Sequence, residues 1–142
     1  MLRLLTCCIL LITAPTIPVA AAHTPIIKTV TVKVLTDQQC FIDGYKVNFW
    51  ELGTELHKRI WRTFMGNDKM PDNVLVVYEG DVNDETKAAT LKSVKEAQQR
   101  TLTMYALFKY KKKYEDLADN KKEKIKKLFP ILFQQDFAGV SQ

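Results

Sequence analysis

A chain of 142 residues has room for one domain, and 46% hydrophobic with 26% charged residues is the balance of a globular protein, not a disordered one. The net charge of +5 comes mostly from lysines near the C-terminus, and no RNP-type or zinc-finger pattern accompanies it, which argues against nucleic acid as a partner. His23 and His57 are the two histidines, neither with a nucleophile at readable spacing, and HExxH, GxSxG and P-loop patterns are missing; this argues against an enzyme or a metal protein.

The first 22 residues differ in class from the rest. Arg3 supplies a positive start, Leu4 to Thr13 an apolar run, Pro15 and Pro18 a break, and Ala20-Ala21-Ala22 a small-residue cleavage pattern before His23. This is the layout of a secretory signal peptide over residues 1–22. Its apolar run is shorter than the roughly 20 residues of a spanning helix, and an uncleaved membrane anchor is the alternative. Cys7 and Cys8 leave with such a signal, so Cys40 stands alone in the mature chain. One cysteine makes no internal disulfide, and its apolar neighbours predict a small buried hydrophobe.

After the lead-in HTPIIK, Thr29 to Leu35 alternates strictly, with Val30, Val32 and Val34 on one face, as a half-buried strand does. Cys40-Phe41-Ile42 predicts a second strand and Asp43-Gly44 a hairpin turn before Tyr45-Lys46-Val47, together a small antiparallel meander. Asn48 is a helix cap with Glu51 as its capping-box partner, and Phe49, Leu52, Leu56, Ile60 and Phe64 (or Trp61) form the apolar side of the helix. Gly66-Asn67-Asp68 stops that helix. Asn73 to Tyr78 (NVLVVY) is the most continuous apolar run and reads as the centre of the sheet. Asn83 or Asp84 caps a long second helix from Thr86 to about Tyr110, with a stripe of Leu91, Val94, Leu102, Tyr105 and Phe108 that Gln98 and Gln99 interrupt. In the tail, Lys121 to Phe129 predicts a helix with Ile125, Leu128 and Phe129 on one face. Pro130 ends it, Ile131-Leu132-Phe133 offers a terminal strand, and residues 134–142 read as loose.

The order of VTVKVL, CFIDGYKVNFWELGTELHKRI, NVLVVYEGDV and a helix over Thr86 to Gln99 resembles the periplasmic domain of the ExbD/TolR family, partner subunits of proton-driven inner-membrane motors. The tail KKYEDLADNKKEKIKKLFPILF is similar to the C-terminal extension of Bacteroidetes-type ExbD-like proteins. The resemblance spans about residues 29 to 134. It fits an α+β fold, a small mixed sheet of about three to five strands in strand–strand–helix–strand–helix order, with two packed helices. Residues 23–108 would form the periplasmic domain and 109–142 a basic helical extension. The family's transmembrane aspartate has no counterpart, since no Asp or Glu precedes Asp37.

The resemblance implies a periplasmic binding module of a TonB- or Tol-type transport system, without catalytic residue, metal or cofactor. Its implied partners are a TonB-like or TolA-like protein, an ExbB-like channel subunit, peptidoglycan, or a second copy in a homodimer. A membrane-anchored subunit of a proton-driven complex is the alternative, and a small periplasmic hydrolase or metal-binding protein the third. Three candidate contact sites follow. Thr29, Thr31, Lys33 and Leu35 would form an edge strand open to pairing. Asp81, Asp84 and Glu85 cluster in a polar turn, where the helix dipole alone favours them. Lys109, Lys111, Lys112 and Lys113 are a basic run, a solvated face or an electrostatic contact to an acidic partner, lipid headgroups or the cell wall. Trp50 and Trp61, eleven residues apart, share roughly one helical side and are either packing residues or part of a partner groove.

Overall fold

The computed structural model describes residues 27–36 and 38–138; the expected signal segment, residues 1–22, lies outside them. The fold is α+β. Four strands, β1 (Thr29–Leu35), β2 (Cys40–Ile42), β3 (Tyr45–Val47) and β4 (Asn73–Glu79), form one mixed sheet in the order β3-β2-β1-β4. Helix α1 (Leu52–Asn67) connects β3 to β4, and α2 (Asp84–Tyr110) follows β4. The tail adds α3 (Asp119–Leu128) and a 3-10 turn over Pro130–Phe133.

The antiparallel meander forms as expected, closed by Asp43 (φ 50°) and Gly44 (φ 83°), the two positive-φ residues of a tight two-residue hairpin. Val30, Val32 and Val34 are fully buried, each contributing about 1.5 kcal/mol or more of burial energy. Leu52, Leu56 and Ile60 of α1 are also fully buried in the same core. The Asn48 side chain accepts from the Trp50 N–H, as a cap should, but what it caps is a 3-10 turn over Phe49–Glu51 that leads into α1. Asn83 caps α2 by accepting from the Thr86 N–H at 2.7 Å. Gly53 lets the two helices approach closely, because a Cβ there would meet the Ser93 carbonyl oxygen at 3.0 Å.

Strand order departs from expectation. β1, not β4, is the central strand: it pairs antiparallel with β2 and parallel with β4 along its whole length. The parallel pairing needs a crossover, and α1 provides it by carrying the chain from β3 to the far side of β1. β4 reads as continuous because Val74 and Val76 enter the core while Leu75 and Val77 remain half-buried on the opposite face.

The inner face of α2 also differs. Val94, Leu102 and Tyr105 are buried as expected, but Leu91 and Phe108 are partly exposed, and Thr86, Thr90, Ala97, Gln98, Thr101 and Ala106 complete the buried stripe. The buried threonine hydroxyls are satisfied locally: Thr90 donates to the Thr86 carbonyl and Thr101 to the Ala97 carbonyl, both at 2.8 Å.

The tail packs against this body through Leu117, Ile125, Phe129, Ile131, Leu132 and Phe137, all part of one core. Ile125 and Phe129 point inward, whereas Leu128 is 53% exposed. Pro130–Phe133 is a 3-10 turn and not a strand, because φ of proline and two buried residues in succession, Ile131 and Leu132, suit a tight helical turn better than alternation. Residues 134–138, expected to be loose, run along β4 instead.

Candidate interaction surfaces

Among the described residues, the two sheet edges and the outer side of one helical seam are the surfaces to compare. Backbone hydrogen bonds of β1 are already used. The Asp43 N–H donates to the Thr31 carbonyl, the Leu35 N–H to the Gln39 carbonyl, and Lys33 pairs with Phe41 between them. Thr31, Lys33 and Leu35 therefore spend their backbone groups on β2, and the expected edge strand Thr29, Thr31, Lys33, Leu35 is an interior strand. Only its side chains remain available. They lie on the face opposite Val30, Val32 and Val34, where Lys33 pairs with Glu79 of β4 at 3.0 Å.

The same ladder identifies the open edge. β2 turns Phe41 toward β1, so Cys40 and Ile42 face β3 and bond to Val47 and Tyr45. Lys46, between those pairs, directs its N–H and C=O away from the sheet. Tyr45, 74% exposed, precedes it in the strand, and Trp50, 79% exposed, follows in the turn just after the strand. The short hairpin is held from behind by Asp43. One carboxylate oxygen accepts from the Thr31 N–H at 2.9 Å, and the other from Arg59 Nε of α1 at 2.8 Å. This half-buried ion pair ties the hairpin turn to the central strand and to α1 together.

The opposite edge is covered. The Gln134 side chain imitates a strand residue, its Oε1 accepting from the Val74 N–H and its Nε2 donating to the Val74 carbonyl, both at 2.8 Å. Two residues on, the Val76 N–H donates to the Phe137 carbonyl at 2.8 Å, and Ala138 bridges Val76 in parallel. Gln98 holds the approach to this segment: 5% exposed, it donates to the carbonyls of Ile131 at 2.7 Å and Gln134 at 3.1 Å. The glutamine that breaks the stripe in the sequence is thus the anchor of the tail.

The third surface is the outer side of the seam between α1 and α2, an open groove of about 770 Å³. Trp61 forms its floor, edge-on to Phe108 at 5.8 Å and tilted against Phe64 at 5.2 Å. Met104, Leu107 and Phe108 line the α2 side, and all three are exposed. His57 closes one end. The Thr101 hydroxyl donates to Ala97, so its oxygen accepts from His57 Nδ1–H at 2.9 Å. Burial, followed by Arg100 and Lys58, lowers the His57 pKa below its ordinary value and favours the neutral ring.

The remaining sequence candidates do not converge. Asp81, Asp84 and Glu85 are all exposed, and Asp84 meets Lys87 at 3.7 Å. Among the described residues no group of three or more His, Cys, Asp or Glu side chains comes together as a metal site. Lys109, Lys112 and Lys113 project into solvent, while Lys111 (φ 55°) ends α2 and donates to the Phe108 carbonyl at 3.1 Å. Trp50 and Trp61 do not share a cluster, since Trp50 meets Phe49 and Trp61 meets Phe64 and Phe108. Cys40 is fully buried and burial raises its thiol to about 11, which makes it inert at neutral pH. Among the described residues no helix is long and apolar enough to cross a membrane. Exposed Met65, Met104 and Leu107 are legible in the sequence only as apolar residues on both helices beyond the core stripe.

Comparison of the chain with protein-family models, with curated proteins and with solved structures finds no match.

Proposed function

We propose that this chain is an exported, non-catalytic binding module of the ExbD/TolR type, carried to the periplasm by residues 1–22, that joins a partner protein by strand addition. The observation that carries this reading is the edge of β3. A solvent-facing N–H and C=O at Lys46, flanked by the exposed rings of Tyr45 and Trp50, is a ready template for an extended segment, with main-chain bonds for affinity and aromatic side chains for contact area. The order of strands and helices agrees with the resemblance seen in the sequence. A TonB-like or TolA-like protein is the partner the reading favours, with a second copy of the chain as the other occupant of the same edge.

Lys46→Pro tests it. Proline removes the outward N–H and is tolerated on an edge strand, so stability should change by less than about 0.5 kcal/mol. Cross-linking of the chain in the periplasm to its partner or to a second copy should be lost, while Lys33→Ala on the central strand should leave it intact. Cross-linking that survives Lys46→Pro in a folded protein would remove β3 as the contact.

A further inference from the structure

We infer that the groove between α1 and α2 is a second docking site, independent of the β3 edge, and that its occupant is an acidic amphipathic helix of another protein. The two helices run in the same direction, as shown by Gly53 beside Ser93, Thr54 bonded to Arg100, His57 to Thr101, and Trp61 against Phe108. Their outer faces therefore offer two matched rows. On α1 the row is His57 and Trp61, continued by spacing to exposed Met65 four residues on; on α2 it is Arg100, Met104 and Leu107, spaced by four and three. Such rows complement the i, i+3, i+4, i+7 anchors of a third helix laid along the seam. Burying exposed Met65, Met104, Leu107 and Phe108 would supply the apolar contact, and methionines adapt to a partner surface readily.

Charge selects the occupant. Arg100 lies at one end of the groove, and Lys111 at the other, its Nζ 5.8 Å from the centre of the Phe108 ring. Arg62 stands exposed on the solvent side of α1, one turn beyond Lys58, which is in an ion pair with Glu55 at 2.7 Å, and no carboxylate lines the groove itself among the described residues. A second copy would bring the same positive rim against this one and be repelled. A concave seam between helices receives a rod better than it meets a flat bilayer, so a helix with acidic flanks and an apolar stripe fits best.

The test uses the whole protein, labelled for NMR, and three probes: a peptide of about 20 residues with leucines at helical spacing and glutamates elsewhere, the same peptide with lysines replacing glutamates, and phosphatidylcholine–phosphatidylserine vesicles. The acidic helix should shift the Trp61 indole N–H signal and leave that of Trp50 in place. Leu107→Glu and Arg100→Glu, both at exposed positions, should each weaken it roughly tenfold. Equal binding of the basic helix, binding to vesicles but to neither peptide, or an unmoved Trp61 signal at saturating acidic peptide would each overturn the proposal. A Trp50 shift without a Trp61 shift would do so too, by moving the contact to β3.

Discussion

The two outer strands of the sheet are finished in opposite ways. β4 carries a cover made of its own chain, with Gln134 pairing to Val74, Phe137 to Val76, and Gln98 clamping the segment from α2. β3 carries none among the described residues, only three residues long and flanked by exposed Tyr45 and Trp50. An uncovered edge strand is an aggregation hazard that proteins ordinarily blunt. Here one edge is blunted with buried side chains and the other is merely kept short, with Lys46 at its middle. The difference leaves outward backbone groups on the β3 side and concentrates stabilising contacts on the β4 side.

Breaking the cover should have the largest effect. Phe137 is buried against β4, and Phe137→Ala should cost about 3 kcal/mol, lower Tm by roughly 10 °C, and speed amide exchange in β4. A loss below about 1 kcal/mol in urea unfolding would mean that the tail merely rests on the sheet. On the other side, Asp43→Ala removes the acceptor of the Thr31 N–H and the partner of Arg59, and places alanine at φ 50°. The expected cost is about 2 kcal/mol, of which Asp43→Asn should recover roughly half because it keeps the backbone conformation and the Thr31 bond. If Asn behaves like Ala, the Arg59 pair and not the turn supports the hairpin. The smallest of the three is Gln134→Ala. Losing the two bonds to Val74 should cost about 1 kcal/mol, with the Val74 amide exchanging faster than that of Val76. Equal acceleration at both amides would show the segment to detach as one piece.

Legibility in the sequence followed the range of the interaction. Alternation at Val30, Val32 and Val34, the Asp43-Gly44 turn and the apolar side of α1 are set by neighbours within a few residues and are legible in the chain, which narrows the cap of α2 to Asn83 or Asp84; the structure places it at Asn83. Leu128 misled because its three-residue spacing from Ile125 puts it on the same side by periodicity, while the body receives only Ile125 and Phe129. Gln98 and the threonines of α2 misled for a different reason: a polar residue is buried when a distant or local carbonyl satisfies it, and periodicity counts only its polarity. The candidate sites fared worst. The edge assignment needed the strand order, and the groove needed the relative placement of two helices.

The sequence by itself determined the types of the elements and their order as far as the second helix, because backbone propensity, capping and hydrophobic alternation act locally. It also determined the hairpin, since Asp43 and Gly44 are suited to positive φ. Only the tertiary structure decided which strand is central, which edge is free and where the tail lies. Those choices depend on pairings between residues up to 60 positions apart, such as Gln134 with Val74, whose energy comes from satisfying buried backbone groups that no local pattern records.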